Sequence, residues 1–103
     1  MAENIISTQA YPLPAPGVVS RVIGEEAVLV QPELAKVKVL NEVGARIWSL
    51  ADGTRTIEQI VALLCSEYQV DSDQALADTL EFISELLERG LLLVVDLPVS
   101  AAG

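Results

Sequence analysis

"KVKVLNEVGARIWSL", residues 36–50, changes its period part-way along. From Lys36 to Leu40 the residues alternate, with Val37 and Val39 on one side and Lys36 and Lys38 on the other, which is the period of a strand. Beyond Asn41 the apolar residues Val43, Ile47 and Leu50 take helical spacing, with the only tryptophan, Trp48, beside them. The pattern predicts a strand that runs straight into a helix, with Asn41 as the helix cap and no loop between.

Two more β-rich runs lie upstream. "VVSRVI" (Val18–Ile23) is followed by the turn formers Gly24 and Glu25, and "AVLVQ" (Ala27–Gln31) by Pro32 and Glu33. With "KVKVL" they predict an antiparallel meander of three strands. Residues 1–17 read as a flexible arm, because Pro12, Pro14 and Pro16 preclude a helix or a central strand and favour an extended backbone.

Downstream the punctuation is helical. The first helix ends at Asp52-Gly53, where glycine suits the left-handed position after a helix. Thr56-Ile57-Glu58-Gln59 has the form of a capping box opening a second helix, Ile57 to Glu67, with a stripe of Ile57, Ile60, Val61, Leu64 and Tyr68. Asp71-Ser72-Asp73-Gln74 offers another box for a third helix, which runs to Arg89 and stops at Gly90. "LLLVV" packs as a short strand or extended segment, and residues 96–103 form a frayed tail. The predicted fold class is α+β, a winged-helix-like domain over residues 18–95 with a three-stranded antiparallel sheet followed by three helices.

Composition bounds what such a domain does. The 103 residues make one small domain, 51% hydrophobic but only 4% aromatic, with 6 Lys and Arg against 15 Asp and Glu. A net charge of −9 repels nucleic acid and anionic membrane. The amino terminus lacks the basic and apolar regions of a secretion signal, and "GLLLVV" is too short to span a bilayer. One cysteine, Cys65, gives no intramolecular disulfide, so a cytoplasmic setting is expected.

No catalytic constellation is present in the sequence. Without histidine the usual general base near neutral pH is missing, along with Ser-His and Cys-His pairs, and no enzyme activity is expected. Cys65 sits at the edge of an apolar stripe and reads as a small buried hydrophobe. Asp71 and Asp73 are explained by capping, since the glycine and closing glutamate of an EF-hand are absent. The six glycines are scattered and form no phosphate loop, so neither metal nor cofactor is expected.

Two features remain. The third helix spreads Ala75, Leu76, Thr79, Leu80, Phe82, Ile83, Leu86 and Leu87 over an arc wider than one packed face requires. The lysine-bearing strand is an edge whose unpaired backbone groups an extended peptide can meet by adding a strand.

"LNEVGARIWSLADGTRTIEQI" (Leu40–Ile60), with D-x-x-x-F at Asp78 and Phe82 and "ELLERGLL" at Glu85–Leu92, resembles the PqqD family. That family is named for a protein of pyrroloquinoline quinone biosynthesis, and its domain is also called the RiPP precursor-peptide recognition element. The likeness runs from about Val18 to Leu92. It implies a three-stranded sheet followed by three helices, and a role as a peptide-binding adaptor or peptide chaperone in natural product biosynthesis. The leader of a ribosomally made precursor peptide is then bound as an added antiparallel strand and presented to a modifying enzyme such as a radical-SAM protein, protease or cyclase. Carried onto this chain, the peptide site is Lys36, Val37, Lys38, Val39 and Leu40 on the strand and Ala75, Asp78, Thr79 and Phe82 on the third helix, with either flank of that helix open to face the peptide. The lysines would flank an acidic leader. The alternative is an interaction module that docks a folded partner or a second copy, as a homodimer, by the same edge.

A winged-helix architecture raises duplex DNA as a ligand, but the third helix carries Asp73, Asp78, Glu81, Glu85 and Glu88 against Arg89. With cations so few on that surface, no anisotropy change is expected on adding labelled duplex DNA at physiological salt, and saturable sequence-selective binding would contradict the charge argument.

Overall fold

A two-residue turn sets the register of the main sheet. In the computed structural model, which describes residues 6–99, β2 (Val19–Ile23) and β3 (Glu26–Gln31) pair antiparallel with Ile23 opposite Glu26. Gly24 lies at φ +64 in the first central position, the left-handed placement that a primed hairpin turn demands. A 3-10 turn, Pro32–Leu34, and Ala35 at φ +53 reverse the chain into β4 (Lys36–Leu40), which pairs antiparallel with β3. The sheet order is β2-β3-β4, so β4 is an edge.

The helices follow as the caps predict. Asn41 accepts the Gly44 amide at 2.9 Å and opens α1 (Glu42–Leu50) directly after β4. Thr56 and Gln59 form a reciprocal capping box at α2 (Ile57–Tyr68), satisfying two donors at that end. Asp71 caps α3 (Ser72–Glu88) through the Asp73 and Gln74 amides. Here the box is half formed, because the Gln74 side chain reaches forward to Asp78 at 2.9 Å. Leu29 of the sheet packs with Ile47, Ile57, Ile60, Ile83 and Leu86 of the helices in one core, all essentially inaccessible to water.

The expected flexible arm is corrected within the described residues. Tyr11–Pro14 forms β1, which pairs antiparallel with β5 (Leu92–Val95) in a separate two-stranded sheet. Prolines fit because this strand needs donors on one side only. Pro12 and Pro14 share the side away from β5, where the Pro12 carbonyl accepts the Gly53 amide at 2.8 Å. The Thr8 and Ala10 carbonyls accept the Glu58 and Ile57 amides, two of the orphan donors at the start of α2. A frayed tail from residue 96 does not hold at Val99 either, whose amide donates to the Gly53 carbonyl at 2.8 Å. The remainder of both segments, residues 1–5 and 100–103, lies outside the described residues.

Gly53 is thus the knot between β1 and the carboxyl-terminal segment. Its φ is +86, and a Cβ there would stand 2.6 Å from Val99 Cγ2. Gly53→Ala is expected to destabilise by about 1–3 kcal/mol in urea unfolding, combining left-handed strain with that clash; an unchanged midpoint would show that the knot yields freely.

Candidate functional site

Alternation along β4 decides what its edge offers. A two-residue turn is closed by a pair that exchanges both backbone hydrogen bonds, here Ile23 with Glu26. Counting in twos along β3, Val28 and Val30 bond toward β2, while Ala27, Leu29 and Gln31 bond toward β4. Leu40, Lys38 and Lys36 are the partners of those three, so the backbone groups of Val37 and Val39 point to the free edge. Two outward rungs are therefore open to a new strand.

The side chains divide differently. Lys36, Lys38 and Leu40 lie on the helix-facing side, the side of the buried Ala27 and Leu29, and Leu40 itself is buried. Val37 and Val39 point away from the helices and are 64% and 59% exposed. Of the five strand residues, Leu40 serves the core and the other four are accessible.

Across from β4 stands α3. Lys38 Nζ meets Glu85 Oε2 at 3.0 Å, and Arg89 Nε reaches the same oxygen at 3.1 Å. The bridge joins two depressions. One, of about 350 Å³, is lined by Gln31, Lys36, Val37, Lys38, Glu88 and Arg89 with Leu91. The other, of about 480 Å³, lies between the start of α1 and α3, with Asn41, Gly44, Asp78, Glu81, Phe82 and Glu85 around it. Gly44 makes this packing possible: a Cβ there would come within 3.0 Å of Phe82 Cε1, so the absence of a side chain lets the ring lie across α1.

A third, apolar pocket of about 240 Å³ adjoins it, sharing Val43, Ile47 and Asp78. Leu64, Tyr68, Val70, Ala75 and Thr79 complete its wall. Thr79 is fully buried, and its hydroxyl has no hydrogen-bond partner among the described residues. The α3 flank of Ala75, Asp78, Thr79 and Phe82 thus faces these cavities, while Leu76, Leu80 and Leu87 pack half-buried against the core. Sequence reasoning missed Val43, Ile47, Leu64, Tyr68 and Val70 as lining residues. The i, i+4 pair Val43–Ile47 beside the strand junction carried the signal for α1.

The groove is less basic than a lysine-bearing strand implies. Lys38 shares Glu85 with Arg89, and Asp78 and Glu81 make the depression between α1 and α3 acidic, while the one beside β4 keeps Lys36, Lys38 and Arg89 against Glu88. The Lys38 ammonium, helped by Arg89, holds the Glu85 carboxyl below the usual glutamate range against the opposing desolvation. Among the described residues no group of acidic, cysteine or histidine side chains is arranged to hold a metal ion, and no helix is long and apolar enough to cross a membrane.

Residues 26–92 match the model of the family described as coenzyme PQQ synthesis protein D (PqqD). The chain belongs to the PqqD family. Solved structures agree in fold. TbiB1 in complex with the TbiA(beta) leader peptide is 35% identical, with 78% of this chain and 93% of that one covered and a TM-score of 0.73. A lasso peptide synthetase B1 complexed with its leader peptide is 26% identical, covering 82% and 99%, with the same TM-score. The PqqD part of Methylobacterium extorquens PqqCD, described as a functional and stand-alone RiPP recognition element, is also 26% identical at TM-score 0.73, covering 86% and 95%. The expected three-stranded sheet followed by three helices holds, with β1 and β5 as an additional pair. No curated protein matches the chain.

Two measurements check the site. Since the folded state lowers the Glu85 pKa, the Lys38–Glu85 pair contributes fully above the ordinary glutamate value and is lost as the pH falls through the depressed one. An NMR titration of the Glu85 carboxyl should therefore give a midpoint below that of an unfolded-chain glutamate, moving up in Lys38→Met. Thr79→Val should hold or raise stability, by up to about 1 kcal/mol, because it removes a buried hydroxyl that has no partner; a clear loss on thermal unfolding would mean that the hydroxyl is bonded.

Proposed function

We propose that the chain is a non-catalytic adaptor that takes the leader of a ribosomally made precursor peptide as an antiparallel fourth strand on β4 and hands the attached core to a modifying enzyme in the cytoplasm. The observation that carries this reading is the free edge of β4. Val37 and Val39 turn their backbone donors and acceptors outward, directly beside the depressions that run along α3. An extended peptide gains affinity from such backbone rungs and selectivity from alternate side chains entering the groove.

Kinship supports the same role. TbiB1 and the lasso peptide synthetase B1, both alike in fold and covered almost throughout, are described in complex with leader peptides. An adaptor needs no reacting group of its own, in keeping with a chain that has no histidine. The partner enzyme would be a radical-SAM protein, a protease or a cyclase, the classes that act on such peptides in the family it resembles.

The groove also refines the ligand. Side chains entering the depression between α1 and α3 meet apolar surface at Phe82, Val43 and Ile47 beside Asp78, Glu81 and Glu85, whereas the depression beside β4 carries Lys36, Lys38 and Arg89 against Glu88. Apolar anchors are the fitting occupants of the first, and carboxylates of a leader fit the second, toward Lys36.

On adding a synthetic leader encoded beside this chain, the Val37 and Val39 amides should become protected from hydrogen exchange, and Val37→Pro should weaken binding strongly by removing one rung. Changes confined to α1 and α2, with β4 silent, would refute strand addition. Phe82→Ala should cost about 2–4 kcal/mol of binding by calorimetry if the ring forms the anchor pocket. Unfolding measured beside it separates that loss from a packing defect.

A further inference from the structure

The face of the main sheet that looks away from the helices is apolar and uncovered. Its rows run Val19–Val30–Val37, Arg21–Val28–Val39 and Ile23–Glu26 across the three strands. Val19, Ile23, Val37 and Val39 are each more than half exposed, and Val28 and Val30 are partly so. An antiparallel sheet with one wet face ordinarily alternates apolar-in and polar-out. Here the outer residues are mostly valine, while Lys36, Lys38 and Ser20 occupy the inner side. Left uncovered, this apolar surface is open to a partner.

We propose that this face docks the peptide-modifying enzyme through an apolar surface bearing a carboxylate opposite Arg21, and that it does so more tightly once a leader strand lies on β4. The proposal rests on the adaptor reading above and adds to it the surface through which the enzyme is met. Charge argues for the carboxylate. Lys38, Arg46, Arg55 and Arg89 all sit in ion pairs; Arg21 and Lys36 have none among the described residues, and of these two Arg21 is the one that stands on this face, in the midst of the valines. A partner that covered the face without matching Arg21 would strand a cation against apolar groups.

Charge argues against a second copy, and area argues for coupling. Strands about 4.8 Å apart with five residues at about 3.3 Å each give this face a footprint of roughly 240 Å². A specific interface buries roughly 800 Å² on each partner, so the enzyme contact extends past this face, while a second copy would bring the same net charge of −9 against it. A leader added to β4 continues the same sheet, so its outward side chains enlarge the face by about a third. Surface that exists only in the loaded adaptor gives the enzyme a reason to prefer it, and by linkage the enzyme tightens leader binding by the same factor.

The test uses Arg21→Glu and Val19→Lys, both on exposed positions of β2, across the sheet from the peptide edge. Calorimetry with a synthetic leader, and separately with the purified modifying enzyme encoded with it, gives two affinities for each protein. Both variants should bind leader within about twofold of the parent, while enzyme affinity falls about tenfold or more. Saturating leader should raise the parent's affinity for the enzyme at least threefold. Normal leader binding with undiminished enzyme affinity in both variants overturns the docking face alone, and an enzyme affinity indifferent to leader overturns the coupling. A parent that sediments as a dimer, with Val19→Lys a monomer, assigns the face to a second copy and overturns the proposal. Failure of the parent to bind any leader overturns the adaptor reading and this proposal with it.

Discussion

The hydrogen bond from the Gly44 amide to the Asn41 side chain is where the rest of the site begins. It closes the amino terminus of α1 one residue after β4 ends, so the strand and the helix share a fixed joint with no loop to absorb motion. Fixing that joint sets the distance from the β4 edge to α1, and the bare Cα of Gly44 then lets Phe82 bring α3 across the junction. Three elements converge on one turn of backbone. The cavities along α3 are what remains between them.

Much of this architecture is legible residue by residue. Asn41, Thr56 with Gln59, and Asp71 each carry their cap in the sequence, because capping is a local reaction between a side chain and amides two or three positions away. The Gly24 turn likewise fixes the strand register, and with it the outward rungs of Val37 and Val39. Local chemistry suffices for these features, and the PqqD resemblance of Leu40–Ile60 spans the same joint.

Long-range choices were not legible. Both flanks of α3 are apolar, and only the placement of α1 and α2 shows that Ala75, Thr79 and Phe82 line the cavities while Leu76, Leu80 and Leu87 do not border them. The match of Lys38 to Glu85 joins residues 47 positions apart and ties the strand to α3 between a basic depression and an acidic one. Pro12 and Pro14 read as strand breakers because the side on which their missing donors would fall is invisible until β5 is in place. In each case an element's partner, rather than its own composition, decided the outcome.

The pairing of β1 with β5 also governs how the domain hangs in a longer polypeptide. Tyr11 and Val95 are register partners, so the chain enters and leaves through adjacent rungs of one short ladder. A module whose two strands of entry and exit lie side by side can be joined to a neighbour at either end, or set into a loop. The β4 rungs take no part in that ladder. A neighbouring domain attached through it would therefore leave the β4 edge as it is.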